Sequence, residues 1–272
     1  MGTMIALLLV FSTLVGCAGE TLTNVKNALP GNAFTLSVEL ETYAEAVSDE
    51  DGTVLAECSY KLPVLRALLE DGTPLEKAAT PGQERAMALL ETFNAYFDAW
   101  KSGLQDMAEH AREDRALGGA FLTYEDQLDC VVYQTDRLIS IQGTYSTFTG
   151  GAHTNTLLMS WNFDLETGEF FQPELLDDSG DLLEFVRQEL LRQARQLGAK
   201  PGETDGPFWP NYADTLAEWS NYAVSFDGEG MTVGFSPYDL ASYAAGPQIF
   251  HLTYEQLSPH LGQHGKSLLG LT

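Results

Sequence analysis

His153 is the histidine whose neighbours in this 272-residue chain best suit a chemical role. It lies in residues 149–155, "TGGAHTN", directly after the pair Gly150 and Gly151. Glycine can adopt positive φ and leave backbone amides open to a ligand, and imidazole is the commonest acid or base near neutral pH. Residues 149–155 are therefore either a catalytic loop or a tight turn that His153 stabilises through a hydrogen bond.

A catalytic role for His153 would require an acid or nucleophile within hydrogen-bond reach. An envelope enzyme that acts on glycan would pair His153 with one of the acidic residues Asp129, Asp136 or Asp164. Nothing in the sequence brings these groups together, so we favour the turn and predict no catalytic residue. The G-x-S-x-G, H-E-x-x-H and strand-linked G-x-G-x-x-G motifs are absent, and "GQHGKS" lacks the first glycine of a phosphate loop.

The remaining histidines and cysteines give little support for a metal site. Only His260 and His264 have the spacing of metal ligands, and we predict neither a metal nor a cofactor. Cys58 and Cys130 form no C-x-x-C motif, and both lie in predicted strands. In an oxidising compartment they could form a disulfide, and the alternative is two buried free thiols.

The charge of the chain restricts its partners. Acidic residues number 39 and basic residues 14, which gives a formal net charge of -25. Nucleic acids and anionic membranes require clustered Lys and Arg, so we predict binding to neither, except for membrane attachment through a lipid. A basic partner would instead be attracted over long range and released by salt.

The N-terminal residues predict export from the cytoplasm. Residues 5–15 form an uncharged apolar run that is too short to span a bilayer core of about 30 Å. The run ends in "LVGC", which resembles a bacterial lipobox and makes Cys17 the predicted lipidated residue. We predict a signal peptide at 1–16, a linker at 17–30, and a lipoprotein on the outer face of the cytoplasmic membrane. No Lys or Arg precedes the run, so either the signal is atypical or the start codon is misplaced. Plain secretion is the alternative to a lipoprotein.

Hydrophobic periodicity indicates strands mixed with segregated helices. Thr80 and Pro81 predict the start of one long helix with an apolar stripe to residue 111, loosened at Ser102 and Gly103. A second helix is predicted at 182–194. Strands are predicted at 32–43, 54–65, 127–134, 138–148, 156–165, 222–226, 231–235 and 249–253. This order predicts an α+β fold with a small N-terminal strand region, a long helix, and a larger C-terminal domain of antiparallel sheet with packed helices.

Two separated segments resemble one known family. Residues 143–178, "GTYSTFTGGAHTNTLLMSWNFDLETGEFFQPELLDD", and residues 235–261, "FSPYDLASYAAGPQIFHLTYEQLSPHL", are similar to the two signatures of the RsiV-like C-terminal domain of bacterial extracytoplasmic proteins. Residues 34–65 are more weakly similar to the accessory domain of PdaC-type peptidoglycan deacetylases. The resemblance implies a PdaC-like region at 31–118, an RsiV-like domain at 119–262, and a tail at 263–272.

The resemblance also implies a binding function outside the cell. In well-understood relatives, this ectodomain of an anti-sigma factor binds lysozyme, a strongly basic protein. We therefore expect a non-enzymatic domain that binds a lysozyme-like protein or a cell-wall glycan. The alternatives are an envelope glycan hydrolase or deacetylase, and a structural lipoprotein without a ligand. The predicted partner-binding residues are Thr149, Gly150, Gly151, His153, Pro237, Tyr238 and Tyr243.

Overall fold

The structure of the protein is a computed structural model that describes residues 34–118 and 121–271. The predicted signal peptide, linker and lipidated Cys17 lie outside these residues. Within them the predicted α+β fold is confirmed, with strands in two sheets and helices packed against them. No helix in the described part of the chain is long and apolar enough to cross a membrane.

The larger sheet has six strands in the order of the chain. They are β1 (Phe34–Ser48), β2 (Val54–Leu69), β3 (Tyr124–Gln134), β4 (Leu138–Phe148), β5 (Asn155–Asp164) and β6 (Glu169–Phe171). Neighbouring strands are antiparallel except for β2 and β3, which are parallel. The smaller sheet is an antiparallel meander of β7 (Ala223–Phe226), β8 (Gly230–Phe235) and β9 (Gln248–Thr253).

The helices differ from the prediction at one point. They are α1 (Pro81–Asp98), α2 (Leu104–Ala116), α3 (Asp181–Gln196), and the short α4 (Tyr212–Thr215), α5 (Tyr254–Leu257) and α6 (Gln263–Leu268). Thr80 caps α1 by accepting a hydrogen bond from the Gln83 amide, as predicted. The predicted long helix is interrupted next to the loosening expected at Ser102 and Gly103, because a 3-10 turn at Ala99–Ser102 separates α1 from α2. Glycine has a low helix propensity, so Gly103 disfavours a continuous helix at this point. The Ser102 Oγ also donates a hydrogen bond to the Ala99 carbonyl, which competes with the backbone bonding of a helix.

Two apolar cores lie on opposite faces of the larger sheet. Helices α1 and α2 cover one face, where Phe93 and Phe163 are fully buried edge to face with their ring centroids 5.3 Å apart. Helix α3 and the smaller sheet form the second core, which Leu138 of β4 joins. The neighbouring residue Ile139 belongs to the first core. Strand β4 is therefore buried on both faces at this end, as the alternation of side chains along a strand requires.

One sheet crosses the predicted domain boundary at residue 118. Strands β2 and β3 pair in parallel from Ala56 with Tyr124 to Tyr60 with Leu128. The Gln134 side chain at the end of β3 accepts from the Val38 amide of β1 and donates to the Leu36 carbonyl. Residues from both sides of this boundary therefore contribute to one sheet and one core. The division of the chain into two domains stays a prediction.

Gly143 of β4 is a position where any side chain would collide with the core. A Cβ atom there would lie 2.6 Å from Cζ3 of Trp161 and 3.3 Å from Cδ1 of Leu128. The indole cannot move freely, because Trp161 Nε1 donates to the Tyr96 hydroxyl at 2.9 Å. We expect Gly143→Ala to lower the free energy of unfolding by about 1–3 kcal/mol, measured by urea denaturation. Gly103→Ala is the matched control and should be neutral or stabilising, because its Cβ would meet nothing within 4 Å.

Cys58 and Cys130 are free and buried, so the predicted alternative of a disulfide between them is not formed. Strand register gives the reason. Cys58 pairs with Asp126, and Cys130 lies four residues further along β3, a distance of about 13 Å in an extended strand. A disulfide requires Cα atoms within about 7 Å of each other.

Both thiols should resist alkylation in the folded protein. Burial raises the pKa of the Cys58 thiol and raises that of Cys130 to about 12, which leaves almost no reactive thiolate at neutral pH. We expect iodoacetamide to modify neither residue under native conditions and both in denaturant without any reductant, as read by peptide mass mapping. Modification that appears only after reduction would reveal a disulfide between Cys58 and Cys130, and it would contradict the strand register that holds them apart.

Candidate functional site

Residues 149–154 form the hairpin loop between β4 and β5, which confirms the predicted turn. The last strand pair before the loop is Thr147 with Asn155. Gly150 and Gly151 have φ angles of 90° and 104°, a region that residues with a Cβ rarely adopt. The double glycine thus reverses the chain and presents His153 at the exposed tip of the hairpin.

His153 meets two tyrosines from the second family-like segment. The rings of His153 and Tyr243 stack with their centroids 4.0 Å apart and their planes at 20°. The Tyr238 ring lies 5.6 Å from Tyr243 and 6.3 Å from His153. His153 and Tyr238 are 85 positions apart in the chain. We call these three residues the aromatic cluster.

Hydrogen bonds fix the orientation of the cluster on the loop. The Tyr243 hydroxyl donates to the Thr154 carbonyl at 2.8 Å, and His153 Nδ1 lies 2.9 Å from the same oxygen. Because a carbonyl only accepts, Nδ1 must carry the proton. In the neutral ring Nε2 is then an acceptor, and it faces the Tyr238 hydroxyl at 3.4 Å. These contacts suit a histidine that stabilises its turn.

Tyr238 has an unfavourable backbone conformation. Its φ is 76°, which makes it the one non-glycine residue with positive φ in the described part of the chain. Its side chain is nevertheless 52% exposed, so core packing does not explain the conformation. The turn is held from both sides: Trp209 Nε1 donates to the Tyr238 carbonyl at 3.0 Å, and the Ser236 amide donates to Asp239 Oδ2 at 2.7 Å. Strain that is held in place in this way concentrates at functional sites.

The other predicted partner-binding residues divide into two groups. Thr149, Gly150 and Gly151 are exposed beside His153, as expected of a surface. Pro237 is buried, so its prediction as a surface residue was wrong. Its ring belongs to the turn that presents Tyr238 and not to the exposed face.

Trp209 is a cluster neighbour that the sequence analysis missed. Its indole is 39% exposed and contacts the backbone of Tyr238, which lies 29 positions later in the chain. A sequence signal was available, because this tryptophan stands between Pro207 and Pro210 in a segment that must be a loop. Large aromatic residues in loops are candidates for binding.

The acidic residues proposed as catalytic partners of His153 are not assembled around it. Asp164 pairs with Leu138 at the far end of the β4–β5 hairpin, about 30 Å of strand from the loop. There it is 2% exposed, and its Oδ1 accepts from the Glu166 amide. Asp136 lies in the β3–β4 connection at that same end. Asp129 instead forms an ion pair with Lys61 of β2 at 2.5 Å.

His260 and His264, the pair with metal-ligand spacing, contact different residues and do not form a common site. The His260 ring stacks on Phe185 with centroids 4.0 Å apart, and His264 Nε2 lies 3.4 Å from Asp164 Oδ2. Among residues 34–118 and 121–271, no group of three or more His, Cys, Asp or Glu side chains is arranged to hold a metal ion.

The segments that build the aromatic cluster contain no basic residue other than histidine. Neither Lys nor Arg occurs in residues 138–186 or in residues 201–265. Each of these stretches carries eight acidic residues. A basic partner that approached the cluster would therefore meet no fixed positive charge from these segments.

Comparison with known proteins finds a match to one family in the C-terminal part of the chain. Residues 169–255 match the family described as "Protein of unknown function (DUF3298)". The match includes Tyr238 and Tyr243, whereas His153 precedes it. No curated protein matches the chain in sequence.

Among the solved structures that resemble the protein are two from the DUF3298 family. A member of the DUF3298 family from Bacteroides fragilis is 17% identical with a TM-score of 0.58, over 87% of this chain and 97% of that one. A DUF3298 family protein from Pseudomonas aeruginosa is 16% identical with a TM-score of 0.45, over 84% of this chain and 95% of that one. The similarity to the Bacteroides protein shows a shared fold and carries no information about a ligand.

Proposed function

We propose that the protein is a non-enzymatic binding domain whose partner contacts the aromatic cluster. The observation that carries this proposal is the exposed, strained Tyr238 beside His153 and Tyr243 at the tip of a hairpin. Tyrosine is enriched among the few residues that dominate the binding energy of protein interfaces, because it buries a large rigid surface at low entropic cost. A fold that maintains backbone strain at an exposed tyrosine gains nothing for its core, so the conformation favours recognition.

The proposed partner is a basic protein of the lysozyme class. Two features support this choice: the net charge of -25, and the absence of Lys and Arg from the segments that build the cluster. The resemblance of residues 143–178 and 235–261 to the RsiV-like domain, whose relatives bind lysozyme, points the same way. The net charge of -25 would raise the rate of association with a basic protein, and the aromatic rings would slow dissociation. Cell-wall glycan is the second proposed ligand class.

The proposed location is the outer face of the bacterial cytoplasmic membrane. It rests on the apolar run at 5–15 and on the lipobox-like "LVGC" that ends at Cys17. A lipid on Cys17 would hold the domain where lysozyme reaches the cell. Metabolic labelling with a fatty acid tests this, because the wild type should incorporate the label and the Cys17→Ala variant should not. Absence of label from the wild type, or equal label in the variant, would contradict the anchor.

Calorimetric titration with lysozyme tests the proposed partner. We expect a micromolar or tighter dissociation constant at low salt and an affinity at least about fivefold weaker at roughly 0.3 M salt, because salt screens exposed charges. An acidic protein of similar size should give no heat. Absence of heat with lysozyme at any salt concentration would contradict the proposal.

A turnover assay separates this proposal from the enzymatic alternative. We expect no release of products from peptidoglycan above the blank between acidic and alkaline pH, and no change when His153→Ala replaces the wild type. Turnover that follows a bell-shaped pH profile and disappears in His153→Ala would instead establish an enzyme.

A further inference from the structure

A polar cavity of about 370 Å³ lies between β5 and the segment that leads from α4 to β7. Strand β6 is short and pairs only with Asn162, Phe163 and Asp164, so it does not extend along β5 to residues 158–160. The Leu158 amide there donates instead to Ser236 Oγ at 3.0 Å. The cavity has the size of small-ligand sites in proteins, which span about 300–1,000 Å³. Its lining includes Ser160, Gln172, Thr215, Ser220, Tyr222 and Asp239.

Four polar side chains of this cavity have no partner within the protein. Ser160, Gln172, Thr215 and Ser220 make no side-chain hydrogen bond to any residue that the structure describes. Polar side chains at such a surface bond to backbone or to water, and these four are free to exchange water for a ligand. Asn221 differs, because it donates to the Thr215 carbonyl at 2.8 Å. Three hydroxyls and one carboxamide that converge without partners offer both donors and acceptors to a ligand.

The charge of the lining selects among ligands. No Lys or Arg borders the cavity, so an anion such as a phosphate or a sugar acid would find no counter-charge. Asp239 Oδ2 accepts from the Ser236 amide, and partial desolvation raises the pKa of this carboxyl. Tyr222 also lines the cavity, and its ring packs edge to face with those of Trp219 and Phe235 at centroid distances of 5.5 Å and 5.4 Å. A hydroxyl-rich lining that includes one aromatic residue fits a ring that carries hydroxyl groups.

We propose that this cavity binds one unit of a neutral saccharide, with its hydroxyls bonded to Gln172, Thr215 and Ser220 and its apolar face against Tyr222. The proposed contacts include none of the three rings of the aromatic cluster, although Ser236 and Asp239 of the lining flank Tyr238. The proposal therefore stands whether or not lysozyme is the protein partner. A dissociation constant on the order of millimolar is expected for a monosaccharide, because each hydrogen bond replaces one with water and gains little.

Ligand-observed NMR with a sugar panel tests the site on the full chain. The panel is glucose, mannose and N-acetylglucosamine as neutral probes, with glucuronate as the matched anion. The cavity variant is Gln172→Ala with Thr215→Val, which removes two side chains that make no internal hydrogen bond and should leave the melting temperature unchanged. The control variant is Gln196→Ala with Thr144→Val, which makes the same changes at exposed positions outside the cavity.

We expect at least one neutral sugar to bind, the cavity variant to bind it about tenfold more weakly, and the control variant to bind as the wild type does. Glucuronate should bind more weakly than glucose. The Tyr238→Gly variant should bind the sugar as the wild type does and bind lysozyme more weakly. This difference separates failure of the cavity proposal from failure of the proposed protein partner. Binding of no neutral sugar, or equal binding by the cavity variant and the wild type, would overturn the proposal.

Discussion

Tyr238→Gly is expected to leave the protein as stable as the wild type and to weaken lysozyme binding at least about thirtyfold. Glycine accepts the φ of 76° without a steric penalty, which relieves about 1–2 kcal/mol of strain. The greater freedom of glycine in the unfolded chain costs about 0.5–1 kcal/mol in return. Because the tyrosine ring is half exposed, its removal loses little buried surface. Calorimetry for affinity and urea denaturation for stability give the two readings.

Two further variants make the Tyr238 result decisive. Tyr238→Asn should behave like the glycine variant, because asparagine also tolerates the left-handed region. Leu197→Ala removes an exposed apolar side chain just beyond the end of α3 and should bind lysozyme as the wild type does. Unchanged affinity in both Tyr238 variants would show that the ring is not part of the interface. If the free energy of unfolding of either Tyr238 variant falls by more than about 2 kcal/mol, the role of the Tyr238 ring is structural.

Asn162→Ala is expected to lower the free energy of unfolding by about 3–4 kcal/mol, because it breaks a buried polar link between the two sheets. Asn162 Nδ2 donates to the Val224 carbonyl at 2.9 Å, and its Oδ1 accepts from Ser140 Oγ at 2.8 Å. Ser140 Oγ in turn accepts from the Phe226 amide at 2.7 Å. Asn162 is 3% exposed and Ser140 1%, so water cannot replace the lost bonds. Urea denaturation monitored by tryptophan fluorescence measures the change.

A double-mutant cycle tests whether this link acts as a unit. Ser140→Ala alone should also destabilise, because the Phe226 amide and the Asn162 Oδ1 both lose their hydrogen bond to the Ser140 hydroxyl. The double variant should cost clearly less than the sum of the single variants. Asn221→Ala, which removes a solvent-exposed hydrogen bond, is the control and should cost below about 1 kcal/mol. An Asn162→Ala variant as mild as this control would contradict the role assigned to the link.

Local patterns in the sequence predicted most of the secondary structure, because alternation along a strand is a property of the strand itself. Strand β4 was predicted with both its ends correct, and β5 and β8 within one residue at each end. The parallel pairing of β2 with β3 could not be predicted, since the strands are separated by α1 and α2 and nothing local specifies the register. Ser140 and Asn162 were also invisible as buried residues, because polar residues in a strand indicate the solvent face.

The candidate site was predictable only in pieces. The two glycines indicated a turn, and the family resemblance singled out His153, Tyr238 and Tyr243 in separate segments. Their stacking depends on the docking of the smaller sheet against β5, which is a long-range property. The positive φ of Tyr238 depends on the turn and on Trp209, and no periodic pattern encodes either contact.

Hydrogen exchange of the free and lysozyme-bound protein, read by mass spectrometry, tests most directly whether the aromatic cluster is where the partner docks. Slower exchange in peptides that cover residues 149–156 and 236–246, with α2 and the β1–β2 hairpin unchanged, is the expected result. A footprint confined to those N-terminal elements, or saturating lysozyme that slows no amide in either loop, would contradict a binding surface built on His153, Tyr238 and Tyr243.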